Sequence, residues 1–357
     1  MENMKKISFS FASAILIAGC SGSGEETNPQ TVDSSENETV DSQETNDNTD
    51  DNSEDQVGSD GNTDTEKGTS DDDAENVDSS EESETESDTE VYAGAQLNPN
   101  YFIDTHIISQ PDRFYLAYAI DRDKEKGQTV TPEQRLKISL FENDPSEQDI
   151  LSSYTELTLD WPSLTIQFDQ EGNDLAATSA QSVLFYDALF GISDLYGVED
   201  ITFLSPDGEQ RMTVAERTVD DTITVKDERG ETRGYYAIYD KELEETLFIP
   251  GGELEEPVVN ESGEPLSFPE TIEKMKSVEP DTFYSTAIVE GIEIVSSSIT
   301  NGVATVQYTM NQDIVTEADR IVFENAIQLA ALDFHAWEVR LFNDTLKEKR
   351  TYPLVGQ

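Results

Sequence analysis

The segment from Val183 to Leu204 can be laid over Ile321 to Phe342 without a gap, which matches Phe185 with Phe323, Ala188 with Ala326, Tyr196 with Phe334 and Ile201 with Val339. Upstream, Leu164-Thr165-Ile166-Gln167-Phe168 lines up with Ala304-Thr305-Val306-Gln307-Tyr308 at nearly the same offset, and Pro132-Glu133 with Pro269-Glu270. Landmarks that recur in one order at one spacing identify a tandem repeat, so one small fold must serve both halves.

Each copy has the same periodicities. Phe114 to Ile120 is dense in aromatic and branched residues and predicts a strand. Thr131-Pro132-Glu133 then supplies an N-cap, a proline at the first helical position and an acid in the first turn, with Leu136 and Leu140 one turn apart behind it. Thr155 to Leu159 and Leu164 to Phe168 alternate apolar and polar residues around Asp160-Trp161-Pro162-Ser163, as a hairpin does. In the second copy Ile292 to Ile299 and Val303 to Tyr308 flank Asn301-Gly302, a strong hairpin signal. A longer helix follows, its apolar stripe formed by Leu184, Phe185, Ala188, Leu189 and Ile192 in one copy and by Val322, Phe323, Ala326, Ile327 and Ala330 in the other. Ile201 to Leu204 and Val339 to Phe342 predict closing strands. The order strand, helix, strand, strand, helix, strand implies an α+β fold, with a small mixed sheet burying one face under two helices in each copy.

The ends of the chain set its location. Lys5-Lys6, a mostly apolar run from Ile7 to Ala18, and Ile17-Ala18-Gly19-Cys20 make a secretory signal. The run is about a dozen residues, short of the roughly twenty that span a bilayer. The lipobox pattern Ile17, Ala18, Gly19 marks Cys20, the only cysteine, for lipid attachment; the plainer alternative is an ordinary signal peptide with a free thiol beside its cut site. Lone exposed thiols are a liability outside the cell, and Ser21-Gly22-Ser23-Gly24 suits a flexible exit, which favours the lipid.

Residues 21–90 carry 26 Asp or Glu against the single base Lys67 and contain no aromatic residue. Such a composition cannot bury a core, so a disordered acidic tether is expected. A flexible chain of that length spans roughly 50 Å and charge repulsion extends it. Of the formal charge of −55, residues 91–357 hold −31, which argues against nucleic acid and against adsorption to anionic lipid. A saline or alkaline habitat accounts for such a surface, as does a basic partner. The expected divisions are 1–19 signal peptide, 20–95 tether, 96–211 first module, 212–233 interdomain linker, 234–346 second module and 347–357 tail.

The hairpin Asn301-Gly302-Val303-Ala304-Thr305-Val306-Gln307-Tyr308, the turn Ser205-Pro206-Asp207-Gly208-Glu209 after a closing strand, the lipobox and the tandem arrangement together resemble the GerMN-domain family of spore-germination and sporulation lipoproteins. The first copy departs from the pattern with Trp161-Pro162-Ser163 in its turn, and the second lacks the Asp-Gly turn. The resemblance implies tandem βαββαβ modules and a non-enzymatic envelope protein that meets envelope or sporulation proteins. Similar modules build rings in transenvelope complexes, which adds self-association to the expected contacts.

No catalytic constellation competes with that expectation. Only His106 and His335 supply imidazole, the first ahead of the Phe114 strand and the second at a helix exit where capping is the ordinary role. Asp121-Arg122-Asp123-Lys124-Glu125-Lys126-Gly127 has Lys126 and Pro132 where a calcium loop wants glycine and glutamate, so no metal site and no cofactor is expected. Tyr115, Tyr118, Tyr235, Tyr236 and Tyr239 keep a second reading open, in which aromatic strand faces form a groove for wall glycan or a small ligand.

Overall fold

The structure is a computed structural model that describes residues 91–354 apart from 126, 129 and 281. These residues belong to one compact unit. Its first half runs β1 (Ala93–Gln96), β2 (Phe102–Ser109), β3 (Phe114–Asp121), α1 (Pro132–Glu142), α2 (Ile150–Ser153), β4 (Thr155–Asp160), β5 (Ser163–Phe168), α3 (Ser179–Leu195) and β6 (Asp200–Leu204). The join contains β7 (Met212–Val214), β8 (Arg217–Val219), β9 (Ile223–Thr224) and α4 (Val225–Arg229). The second half runs β10 (Tyr235–Asp240), β11 (Glu245–Pro250), α5 (Phe268–Lys274), β12 (Ile292–Thr300), β13 (Val303–Met310), α6 (Glu317–Leu332), β14 (Glu338–Asn343) and β15 (Glu348–Pro353).

Local signals set these boundaries. Thr131, Thr178, Ser267 and Thr316 each open a helix with a reciprocal capping box, to Gln134, Gln181, Glu270 and Asp319, satisfying amides that have no partner inside the helix. The chain leaves α3 and α6 through equivalent left-handed residues, Gly197 at φ 75° and His335 at φ 52°. Behind them Val198 N donates to Ser193 O at 2.9 Å and Ala336 N to Ala331 O at 3.0 Å, the same helix end written twice.

Two sheets repeat one topology. In the order β4-β5-β6-β9 and the order β12-β13-β14-β15-β1, an antiparallel hairpin pairs in parallel with the strand after the long helix, which then takes an antiparallel neighbour. The fold is α+β, and the element order strand, helix, hairpin, helix, strand occurs twice.

The first strand of each copy, however, leaves the mixed sheet. β3 and β11 pair with each other in a third sheet, β10-β11-β3-β2, with Phe248 opposite Tyr118. Tyr115 to Ile120 is buried at every position, so β3 needs cover on both faces and cannot sit on a sheet with one wet side. Tyr118, Leu116 and Phe248 face the main core, while Tyr115, Ala117, Tyr236, Leu247 and Ile249 form a second cluster behind.

Other expected divisions also differ from the architecture. Residues 212–233, expected as a linker, bury Val214, Val219, Ile223 and Val225; β9 pairs with β6, and Val225 N donates to Glu199 O at 2.8 Å. Ala93–Ala95, assigned to the tether, belong to β1, which pairs in parallel with β15; β15 in turn lies in the expected tail and buries Tyr352. Ala93-Gly94-Ala95-Gln96 of β1 and Glu348-Lys349-Arg350-Thr351-Tyr352-Pro353 of β15 have no apolar alternation to declare a strand, so their pairing depends on sheet edges supplied by distant parts of the chain.

Candidate functional site

One buried cation joins elements of both halves. Arg229, at the end of α4, donates from Nε to Asp194 Oδ2 on α3 (3.0 Å), and from its terminal nitrogens to the hydroxyls of Tyr118 on β3 (2.8 Å) and Tyr235 on β10 (3.3 Å). Tyr235 passes the contact on by donating to Asp333 Oδ1 at the end of α6 (3.0 Å). Burial, reinforced by the charge of Asp194 and opposed by Arg229, pushes the Asp333 carboxyl up to about 7. A cavity of about 270 Å³ opens beside it, lined by Asp194, Lys226, Thr232, Arg233, Asp333 and His335.

A second polar cluster lies under the far sheet. Arg320, Glu324 and Gln328 form a stripe on α6, and Glu324 is only 1 % exposed. Its carboxylate accepts from Arg350 Nη1 (2.8 Å) and from the Tyr352 hydroxyl on β15, with Arg320 Nε at 3.3 Å. Burial nevertheless raises Glu324 to about 7. Gln328 accepts from Arg122 Nε (2.7 Å), whose other nitrogens meet Asn98 O (2.7 Å) and Pro353 O (3.0 Å) while the guanidinium lies between the rings of Tyr101 and Tyr352. Arg122 thus ties the first half to the second through neutral oxygens, and burial lowers it to about 10.

The equivalent stripe on α3 is Ser182, Tyr186 and Phe190. There the two rings stack at 5.6 Å beneath Arg217. One repeat therefore covers its long helix with an aromatic stack and the other with a buried ion cluster. Both arrangements lie on the helix-covered side of their sheets, and the opposite face of the second sheet is open.

The open face of the second sheet has an unusual composition. From Ile294 to Gln312 the chain carries no charged residue, although 28% of all residues are charged. Burial explains Ala304, Val306 and Tyr308, but Ser296, Ser298, Thr300, Val303, Thr305, Gln307 and Thr309 point to the other face. β12 ends its sheet, and Val295, 55% exposed, marks a bulge between Ile294 and Ser296. At the hairpin tip Trp337, 43% exposed, donates its indole N–H to Asn301 O (3.0 Å) and covers Gly302. On the matching edge of the first repeat, β4 carries Glu156 and Asp160.

The remaining candidates fall as follows. Cys20 and the lipobox residues Ile17, Ala18 and Gly19 lie outside the described residues. His106 faces Ala117 across β2 and β3, and His335 is the left-handed residue that ends α6. Asp121 accepts from the backbone of Asp123 (2.7 Å) and Lys124 (3.2 Å), while Lys124 pairs with Asp104 (2.9 Å) and Glu142 (2.6 Å), so this segment is a strand-to-helix connection. Tyr115, Tyr118, Tyr235 and Tyr236 are buried, leaving only Tyr239 of that set exposed and no aromatic groove between them. Among the described residues no group of His, Cys, Asp or Glu could hold a metal ion, and no helix is long and apolar enough to cross a membrane. Sequence reasoning missed the ion clusters. The spacing of Arg320, Glu324 and Gln328 was visible, but on a helix it reads first as a solvated row.

No protein-family model matches the chain, and no curated protein matches it. Among solved structures it is similar to the tandem GerMN domains of the sporulation protein GerM from Bacillus subtilis, with 10% sequence identity, a TM-score of 0.40, and coverage of 71% of this chain and 97% of that chain.

Proposed function

We propose that the protein is a lipid-anchored scaffold on the outer face of a cell membrane that works by protein contact, without turnover, in sporulation, germination or envelope assembly. The observation that carries the contact reading is the uncharged run Ile294–Gln312, which forms most of the β12–β13 hairpin. In a body whose residues 91–357 bear −31, the hairpin's outer strand from Ser296 to Thr300 offers a partner a stretch with no charged side chain of its own, with Glu293 before it and Asp344, held by Gln307, on the neighbouring strands' side. The Arg229 and Arg122 ties favour a surface held in fixed orientation, which lowers the entropy cost of docking.

Anchoring rests on the signal and on Cys20, where the two or more acyl chains of a lipoprotein give stable attachment. The acidic stretch would set the body off from the bilayer. The link to sporulation rests on the sequence resemblance of Asn301–Tyr308 and Ser205–Glu209 to GerMN domains.

Two measurements test this. Crosslinking through residues 91–357 in growing and sporulating cells is expected to recover an envelope protein or a second copy; recovery of neither ends the contact reading. Labelling with radioactive palmitate is expected to be lost on Cys20→Ala, and label that persists would remove the anchor. Retention on purified peptidoglycan above an acidic control protein would favour the glycan reading instead.

A further inference from the structure

We infer that β12 is a pairing edge for a second copy of this chain, so that two molecules join antiparallel through Ser296–Thr300 into one sheet running across both. The inference deepens the contact reading above and rests on it.

β12 is the longest strand at any sheet edge among the described residues. Natural proteins blunt such edges with charge, proline, bulges or a covering element. The other long edges are blunted: β2 carries Asp104, β4 carries Glu156 and Asp160, and β10 ends in Asp240. β15 is covered by β1. On β12 the one charge, the exposed Glu293, and the one bulge, at Val295, both fall in its first four residues, and from Ser296 to Thr300 the register with β13 is regular, without charge or proline.

Charge selects the occupant. Two copies of so acidic a body repel wherever carboxylates face each other, and this strand is an edge where a two-fold pairing brings none together. Centred on Ser298, the pairing sets Ser296 against Thr300 on the open face and Ser297 against Ile299 on the covered face. Each strand therefore meets its own complement, as an isologous contact requires. The chain already joins like to like in this manner, since its two repeats meet by antiparallel pairing of the equivalent strands β3 and β11.

The test uses the full chain with Cys20→Ser, which removes the only thiol. Adding Ser298→Cys places two thiols across the two-fold axis, within the reach of a disulfide. Under mild oxidation this protein is expected to become a covalent dimer, whereas Thr158→Cys, at the equivalent position of β4, remains monomeric. Equal dimer yields at both positions, or none at Ser298, overturn the inference. Ser298→Glu sets two carboxylates opposite each other and is expected to abolish dimers in sedimentation at unchanged melting temperature; dimers that persist also overturn it. In cells, a photocrosslinking residue at 298 is expected to trap a homodimer. Capture of a different protein alone ends the self-pairing and leaves the contact reading standing, and capture of nothing at 298 together with no partner elsewhere on residues 91–357 ends both.

Discussion

Gly191 on α3 and the hydroxyl of Tyr118 on β3 lie so close that a Cβ at 191 would overlap the hydroxyl and come within 2.7 Å of the Arg229 guanidinium. Helix and shared sheet can meet only at a residue without a side chain.

Gly191→Ala should therefore destabilise the protein, although alanine is the better helix former by about 1 kcal/mol. Overpacking in a closed core costs about 1–3 kcal/mol, and here the obstacle is itself hydrogen-bonded and cannot swing away. Urea unfolding should show a net loss of about 1–2 kcal/mol. A stabilised variant would mean that α3 and β3 do not approach in this way.

Stability should rise as the solution is made mildly acidic. Asp333 and Glu324 are both raised to about 7, chiefly by burial. A carboxyl with a folded value above its unfolded value near 4 binds the proton more tightly when folded, so its penalty grows as pH rises from about 4 to 7. The melting temperature should be higher at about pH 5.5 than at about pH 8, with a smaller difference in Asp333→Asn and Glu324→Gln. Carboxylates held low, such as Glu228 beside Arg217, reverse the trend only in stronger acid.

Tyr352→Phe removes a hydroxyl that donates to the buried carboxylate of Glu324. The loss should be about 1.5–3 kcal/mol at pH 8, where the acceptor is charged. It should shrink at pH 5.5, where the acid is protonated. A pH-independent loss measured by chemical denaturation would show that the carboxyl does not titrate in this range.

Arg122 links β3 to α6 and β15 through oxygens that have few alternatives. Arg122→Met should cost about 3 kcal/mol by leaving buried acceptors unmet, and Arg122→Lys should not restore it, because an ammonium cannot reproduce the planar fork. Hydrogen exchange should be fastest in β15, and unchanged exchange there would separate Arg122 from the tie.

Gly302→Ala places a Cβ against the Trp337 indole at a residue with φ 71°. Trp337 should be displaced towards solvent and its fluorescence should shift to the red, with Trp161 as the internal constant. An unshifted spectrum would show that the ring does not cover the turn.

Much of the architecture was legible because its signals are local. The Thr131 cap, the Asn301-Gly302 turn and the paired apolar stripes of α3 and α6 each depend on residues within one or two turns of chain. The strand at Phe114 to Ile120 was legible as a strand, yet its sheet was not, since an edge finds its partner through space. The candidate contact surface was visible only in part: the uncharged run can be counted in the sequence, but which of its residues face outward at a sheet edge cannot.

Sequence alone determined that one pattern occurs twice, that each copy has a long helix with a matching apolar stripe, and that the body carries a large negative charge, because periodicity and counts need no distant neighbours. Tertiary structure alone decided that the repeats share a sheet through β3 and β11, that Arg229 and Arg122 lock them, and that Glu324 is buried where Tyr186 stacks in the other copy. Those outcomes depend on which residues, far apart in the chain, exclude water from the same place.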